Sequence, residues 1–137
     1  MNQSINSEIF PKGEKIKSEN FIGATWLKML IPGDTDTGCS VANVTFEPGA
    51  RNNWHSHPGG QILLVTSGKG YYQEEGKPVQ ILHMGDAVNI QSGVKHWHGA
   101  AADSWFAHIA ISPNLQKGPA EWLEPVKEYE EITQNFK

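Results

Sequence analysis

The sequence predicts an all-β fold of sandwich or barrel type, and three observations lead to this prediction. Short apolar segments rich in β-branched and aromatic residues follow one another between residues 21 and 112. Glycine or proline stands between most of these segments, as expected where a chain reverses between antiparallel strands. The segments do not alternate with amphipathic helical patterns, which argues against a parallel α/β arrangement. We therefore expect a single barrel over residues 21–112.

Length and composition narrow the class of protein. The chain has 137 residues, 38% of them apolar, which is enough for one domain with its own core. No apolar run approaches the roughly 20 residues of a membrane-spanning helix. A net charge of −4 without a basic stripe argues against nucleic acid as a partner. The polar start lacks the apolar centre of a signal peptide, and the single cysteine, Cys39, fits a reducing compartment, so we expect a cytoplasmic protein.

The first third of the chain predicts a tail and two strands. Residues 1–20 are polar and rich in lysine and glutamate, which is typical of a tail or an edge strand. The apolar residues 21–31 predict one strand, which Pro32-Gly33 should end. After a polar loop, residues 40–47 predict a second strand, because apolar and polar residues alternate over its second half.

The remaining strands are shorter, and the chain finishes with a helical pattern. We predict these strands at residues 61–70, 71–75, 79–83, 87–90, 96–100 and 105–111. Residues 113–137 predict a short helical tail that packs on the barrel. Pro119 suits a first helical position, and Trp122, Leu123 and Val126 have helical spacing.

Histidine and glutamine side chains form the strongest chemical pattern. His55 and His57 are two residues apart, and alternate residues of an extended chain point the same way, so both imidazoles can face one point. A Pro-Gly-Gly turn follows, and Gln61 opens the next strand. His96 lies downstream on a separate predicted strand. If the sheet closes so that His96 meets the pair, three imidazoles and one amide oxygen surround a metal ion.

The donor set predicts the character of the metal. Three neutral imidazoles and one neutral amide leave the charge of a divalent cation uncompensated. The bound ion should therefore be a strong Lewis acid, and a 3+ oxidation state is disfavoured. Imidazole suits several divalent metals, while the amide oxygen of Gln61 favours harder ions such as Mn²⁺. Affinity order alone would favour Cu²⁺ or Zn²⁺, so we expect one divalent ion, with iron, zinc, nickel, cobalt and copper as alternatives to manganese.

Two further histidines are candidate catalytic residues. His98 shares a strand face with His96 and therefore points inward, and His108 lies on the last predicted strand. A neutral imidazole beside a divalent cation should have a lowered pKa, which leaves it free to accept a proton. Either His98 or His108 could remove or relay the proton of a substrate hydroxyl. The alternative for each is a hydrogen-bonded core histidine.

Together these patterns resemble the cupin superfamily. The spacing of glycine, histidine and glutamine over residues 49–68 is similar to the first cupin motif, and residues 85–96 are similar to the second. Gln61 stands where cupins usually have glutamate, Gln91 where they usually have proline, and Ala100 where they usually have asparagine. The resemblance implies a jelly-roll barrel that holds one metal ion inside.

The resemblance extends to a subgroup, the small bacterial manganese cupins, some of which act as hydroxynitrile lyases. Residues 46–51, 54–58, 95–101 and 107–111 are similar to this subgroup. Within it, glutamine is the fourth ligand, manganese is the metal, and a histidine matching His108 is the catalytic base. The resemblance therefore implies a lyase that cleaves a carbon–carbon bond next to a metal-bound hydroxyl.

Three classes of function stay open on the sequence alone. The first is the metal-dependent lyase, the second is an oxygenase that uses iron in the same ligand set, and the third is a non-catalytic binder of a small metabolite. Anaerobic activity with Mn²⁺ would favour the lyase, and stoichiometric oxygen uptake with Fe²⁺ would favour the oxygenase. Each class implies a small-molecule partner. A homodimer or higher homo-oligomer is also expected, because the N-terminal segment could add to the sheet edge of a second copy.

Overall fold

A curled antiparallel sheet of twelve strands and one α-helix make up the computed structural model, which describes residues 9–136. The strands are β1 (Glu14–Lys15), β2 (Phe21–Ile22), β3 (Thr25–Asp34), β4 (Cys39–Phe46), β5 (Arg51–Asn52), β6 (His55–Ser56), β7 (Gln61–Glu74), β8 (Gln80–His83), β9 (Ala87–Ile90), β10 (His96–Ala100), β11 (Phe106–Ser112) and β12 (Glu121–Trp122). A 3-10 helix covers Leu115–Lys117, and α1 covers Tyr129–Asn135. The predicted all-β fold with a short C-terminal helix is confirmed.

The 14-residue strand β7 belongs to both halves of the sheet. Its first half pairs with β11 and β9, and its second half pairs with β10 and β8. From β11 the sheet continues through β4 and β3 to β1, and from β10 it continues through β5 to β2. The change of partners occurs near Gly68, whose φ of 75° favours glycine. The two halves therefore curl around a shared interior.

The interior of the barrel contains a cluster of buried apolar side chains. Its members are Ala42, Val44, Phe46, Ala50, Leu63, Val65, Tyr72, Leu82, Ile90, Ala100, Phe106 and Ala110. On β4, Val44 lies opposite His108 of β11, and Phe46 lies opposite Phe106. Paired residues share a face of the sheet, so the strands that build the core also direct a histidine inward.

A second apolar cluster lies on the outer face of β10, beneath α1. Its members are Trp54, Tyr71, Trp97, Ala101, Val126, Tyr129 and Ile132. The hydroxyl of Tyr129 donates to the carbonyl of Ala100 at 2.7 Å, and Nε1 of Trp97 donates to Oε1 of Gln73 at 2.9 Å. The C-terminal tail therefore covers this face with its polar atoms paired.

The helical spacing of Trp122 and its neighbours predicts the wrong position for the C-terminal helix, because α1 begins only at Tyr129. Trp122 lies in β12, which pairs with β6. The carbonyl of Trp54 accepts from the N–H of Leu123 at 2.8 Å, and the N–H of Trp54 donates to the carbonyl of Glu124 at 2.9 Å. These bonds to a distant strand hold the segment extended and override its local pattern.

Strand boundaries near the N-terminus also differ from the prediction. The predicted strand 21–31 is divided at Gly23, where φ is 81° and a Cβ would lie 2.9 Å from the Cα of Ala50. Pro32 and Gly33 do not end the strand, because irregularities in the pairing of β3 with β4 accommodate both residues. Further along the chain, β7 joins two predicted strands into one.

The N-terminal segment contributes the edge strand β1, while residues 1–8 of the predicted tail lie outside the described residues. Nδ2 of Asn43 donates to the carbonyl of Pro11 at 3.0 Å, and Nζ of Lys12 lies 4.0 Å from the centre of the Trp26 ring. This segment therefore packs on the outer face of β3 and β4. The homo-oligomer stays a prediction. In the described part of the chain, no helix combines the length and the apolar character of a membrane span.

Candidate metal centre and active site

Imidazole rings from several strands converge inside the barrel. They belong to His55, His57, His96, His98 and His108. His55 and His96 lie opposite each other on the paired strands β6 and β10, with ring centroids 4.3 Å apart. The ring of His57 lies 5.2 Å from that of His55 and 5.8 Å from that of His96. The structure thus brings the three predicted histidine ligands together.

Backbone carbonyls orient two of these rings. Nδ1 of His55 donates to the carbonyl of Asn53 at 2.8 Å, and Nδ1 of His96 donates to the carbonyl of Val94 at 2.9 Å. A carbonyl oxygen only accepts, so the proton of each neutral ring is on Nδ1 and the lone pair is on Nε2. Nε2 of His96 is buried and has no hydrogen-bond partner among residues 9–136. This is how proteins hold a histidine that ligates a metal.

Gln61 presents a second unpaired acceptor at the start of β7. The residue is 7% exposed, and its Nε2 donates to Oγ of Ser112 at 3.4 Å. Its Oε1 is buried and lacks a hydrogen-bond partner within the described residues. Such an atom costs about 1–3 kcal/mol when left unpaired. An amide oxygen and an imidazole nitrogen are both donors that a divalent cation accepts, so the chemistry of Oε1 of Gln61 and Nε2 of His96 fits such an ion.

A second possible ligand set shares two of the histidines. Ring nitrogens of His55, His96 and His98 all lie within 4.8 Å of one another. His98 lies on the same face of β10 as His96, whereas His57 is half-buried at the cavity wall. The ring-nitrogen distances therefore support His98 as the third imidazole, whereas the sequence pattern favours His57.

His98 and His108 form a buried pair beside the candidate ligands. Nε2 of His108 lies 3.2 Å from Nδ1 of His98, so one ring donates a hydrogen bond to the other. The two residues are 4% and 0% exposed. The ring of Phe46 packs against both, at centroid distances of 5.8 Å and 5.7 Å. A proton can pass between the two imidazoles without reaching solvent.

Burial keeps these imidazoles neutral. It lowers the pKa of His108 to about 3 and, with the neighbouring His96, lowers the pKa of His57 to about 4. Burial also lowers the pKa of His55, His96 and His98, and nearby imidazoles add to this effect at His55 and His98. Each ring therefore keeps a lone pair at neutral pH, which is the form that binds a metal or accepts a proton.

The polar groups line a cavity of about 190 Å³. At about 30 Å³ per water molecule, this space equals roughly six waters and suits a small organic ligand. Its polar lining includes His55, His57, Gln61, His98 and His108. Its apolar lining includes Phe21, Leu27, Ala42, Val44, Ala110 and Trp122. An apolar cavity with a few convergent polar groups is typical of a small-molecule site.

Two residues of this site were missed by the sequence analysis. Oδ1 of Asn52 on β5 accepts a hydrogen bond from the N–H of His98 at 3.0 Å, and its Nδ2 lies 3.3 Å from Nε2 of the same histidine. The ring of Trp122 on β12 lies 4.5 Å from that of His55. No local sequence pattern marks either residue, because each position depends on strand pairing, of β5 with β10 and of β12 with β6.

The fold and the site define a class of protein, a β-barrel with a cluster of histidines inside that could hold a metal ion. Comparison with known proteins identifies the family. The family described as Cupin domain matches residues 42–111. Over 106 residues the chain is 49% identical to (R)-mandelonitrile lyase from Granulicella tundricola, a match that covers 77% of this chain and 81% of that protein. The chain belongs to the cupin family, which confirms the predicted resemblance.

Solved structures agree with this assignment. The crystal structure of a cupin-like protein from Thermotoga maritima has a TM-score of 0.90 and 52% sequence identity, and the match covers 93% of this chain and 98% of that one. The DMSP lyase DddQ from Ruegeria pomeroyi has a TM-score of 0.64 at 22% identity, over 74% of this chain and 52% of that one. At this lower identity the likeness shows the fold alone.

Proposed function

We propose that this protein is a metal-dependent lyase of the hydroxynitrile lyase type, which cleaves the carbon–carbon bond next to the hydroxyl of a cyanohydrin. The main support is the arrangement of the cavity, where the His98–His108 pair lies beside a candidate ligand set that includes two buried, unpaired acceptor atoms. The 49% identity to a protein named (R)-mandelonitrile lyase supports the same reaction class.

The proposed metal ligands are Nε2 of the histidines and the amide oxygen of the glutamine. These are His55, His57, Gln61 and His96. The amide oxygen and the neutral donors favour Mn²⁺ over softer ions. When bound, such a cation supplies Lewis-acid polarisation that makes a substrate hydroxyl more acidic. The neutral ligand set leaves the charge of the cation available for this purpose.

The His98–His108 pair accepts the hydroxyl proton in this proposal. Burial leaves both imidazoles neutral but also makes them weak bases, so the transfer needs a hydroxyl of lowered pKa. Loss of the proton lets the oxygen form a carbonyl while the bond to the nitrile carbon breaks, and its electron pair leaves with cyanide. The proton held by the imidazole pair then returns to cyanide, giving an aldehyde or ketone and hydrogen cyanide.

The test is cyanide release from mandelonitrile by the manganese-loaded protein without oxygen. His108→Ala should lower kcat by about 100- to 10,000-fold, which is the usual contribution of a general acid or base. His83→Ala is the matched control, because His83 is exposed on β8 and should leave the rate unchanged. Full activity of His108→Ala would remove His108 from the mechanism. Stoichiometric oxygen uptake with Fe²⁺, without cyanide release, would contradict the lyase.

A further inference from the structure

The indole of Trp122 lines the cavity, although its segment belongs to the C-terminal tail. Trp122 is 37% exposed, whereas His98 and His108, which line the same cavity, are 4% and 0% exposed. The cavity therefore runs from the buried imidazole pair outward to the indole. A ligand whose hydroxyl faced the imidazoles would have its remaining substituent on the side of Trp122.

Backbone pairing fixes the position of this indole. Trp122 is paired with His55 in the register of β12 and β6. The backbone of Trp54 bonds to the segment that follows, at Leu123 and Glu124. Nζ of Lys95 lies 2.7 Å from the carboxylate of Glu124 and holds the same segment from the side. Because these contacts do not involve the indole, we expect a substitution at position 122 to leave the strand in place.

Two aromatic rings meet at this end of the cavity. The ring of Trp122 lies 4.5 Å from that of His55 with an interplanar angle of 31°, so the indole packs on the imidazole in a tilted arrangement. The ring of Phe21, from β2, lies 5.5 Å from the indole at an angle of 56°. Phe21 lines the cavity as well. A third flat ring could pack in the offset or tilted geometry that aromatic groups prefer.

Most of the remaining apolar lining does not distinguish a flat substituent from a branched one, and Met29 is the exception because its thioether can contact an aromatic ring. Leu27, Ala42, Val44 and Ala110 are aliphatic, and their packing depends on size and shape rather than on a π-face. Among the apolar lining residues, Trp122 and Phe21 present aromatic faces, so they should contribute most to a preference for an aromatic substituent of the same size.

We propose that Trp122, supported by Phe21, is a specificity-determining residue that selects ligands with a flat aromatic substituent over saturated ones of similar size. The identity of the reacting group rests on the proposed function, so the preferred substrates would be aryl cyanohydrins. Trp122 packs on His55, and it is assigned no part in proton transfer.

The experiment compares the binding of benzoate and cyclohexanecarboxylate, which match in size but differ in aromaticity. Calorimetry on the manganese-loaded protein gives the ratio of the two Kd values. The wild type should prefer benzoate, and Trp122→Leu should lower this preference by about two- to tenfold, the range expected for one aromatic pair. Trp122→Phe should keep most of it, and Phe21→Leu should reduce it.

The matched control is Trp26→Leu, which removes an indole that packs against Trp105 on the outside of the barrel. This variant should keep the wild-type ratio. A wild type without a preference for benzoate would overturn the proposal, as would Trp122→Leu and Phe21→Leu variants that both keep it. If Trp122→Leu does not fold, Phe21→Leu and Trp122→Phe provide the same comparison.

Cyanide release from mandelonitrile, measured on the same preparations, separates this inference from the proposed function. A wild type that prefers benzoate but releases no cyanide would contradict the lyase and support the role of Trp122 in ligand selection. A wild type that releases cyanide, with a binding ratio that Trp122→Leu and Phe21→Leu leave unchanged, would contradict the role of Trp122 alone.

Discussion

The two faces of β10 are both buried, but they differ in whether their polar atoms all have hydrogen-bond partners. On the outer face, Nε1 of Trp97 donates to Gln73, and the carbonyl of Ala100 accepts from Tyr129. On the inner face, Nε2 of His96 has no partner in the described part of the chain. Because an unpaired buried acceptor costs free energy, the outer face is suited to stability and the inner face to a ligand that completes it.

Removing a ligand from the inner face should have the largest effect. In His96→Ala the candidate centre loses the imidazole whose Nε2 is unpaired, so bound manganese should fall sharply. Cyanide release should fall roughly 1,000-fold, since Lewis-acid stabilisation is worth several kcal/mol. Elemental analysis and a cyanide assay measure both quantities, with His83→Ala as the control. One manganese per chain together with unchanged activity would contradict the assigned centre.

Removing the main side chain of the outer face should affect stability instead. Trp97 is fully buried beneath the tail, so Trp97→Ala should lower the free energy of unfolding by about 3–5 kcal/mol. Urea denaturation of the metal-free protein measures this loss. Trp26→Ala should lose less, because Trp26 is only half-buried. A stable Trp97→Ala variant that no longer binds manganese would reverse the assignment of the two faces.

The change in Tm on metal removal should distinguish a variant of the inner face from a variant of the outer face. A ligand that binds the folded state alone stabilises it by about 2.7 kcal/mol at a free concentration of 100 times Kd. Manganese at that excess should therefore raise the Tm of the wild type and of Trp97→Ala, but not that of His96→Ala. Thermal unfolding with and without a chelator provides the measurement. An equal rise in all three proteins would show that manganese binds elsewhere.

The smallest expected effect is the loss of one hydrogen bond on the outer face. Tyr129→Phe removes the donor to the carbonyl of Ala100 while keeping the ring in place. The free energy of unfolding should fall by about 1 kcal/mol, which is the net value of a typical hydrogen bond. Urea denaturation would detect this change, and manganese affinity should not move. A change in manganese affinity without a change in the free energy of unfolding would mean that the contacts of α1 affect metal binding.

Sequence patterns indicated more of the histidine cluster inside the barrel than of the C-terminal segment that covers it. His55, His57, Gln61 and His96 were selected as candidate ligands because strand alternation and a gapped motif act over short distances, and the structure groups their side chains around one interior. Trp122 could not be found this way. Trp122 has helical spacing with its neighbours, but this segment pairs with β6 and makes two hydrogen bonds to the backbone of Trp54. It therefore forms the strand β12 instead of a helix.

Residues whose role depends on register were also missed. Asn52 contacts His98 because β5 and β10 pair at Gly99 and Arg51, and that pairing joins segments far apart in the chain. Glycine and proline residues predicted the ends of strands correctly at some positions only. Gly23 divides a predicted strand because its backbone has a positive φ, while Pro32 lies within β3 where the ladder is irregular.

The shared strand β7 has a consequence for how the molecule opens. Its first half is paired on both sides in one part of the sheet, and its second half is paired on both sides in the other. Neither part can detach without exposing amides of the same continuous strand. The amide protons of β7 should therefore exchange with solvent at a single slow rate along its length, and the barrel should unfold as one cooperative unit.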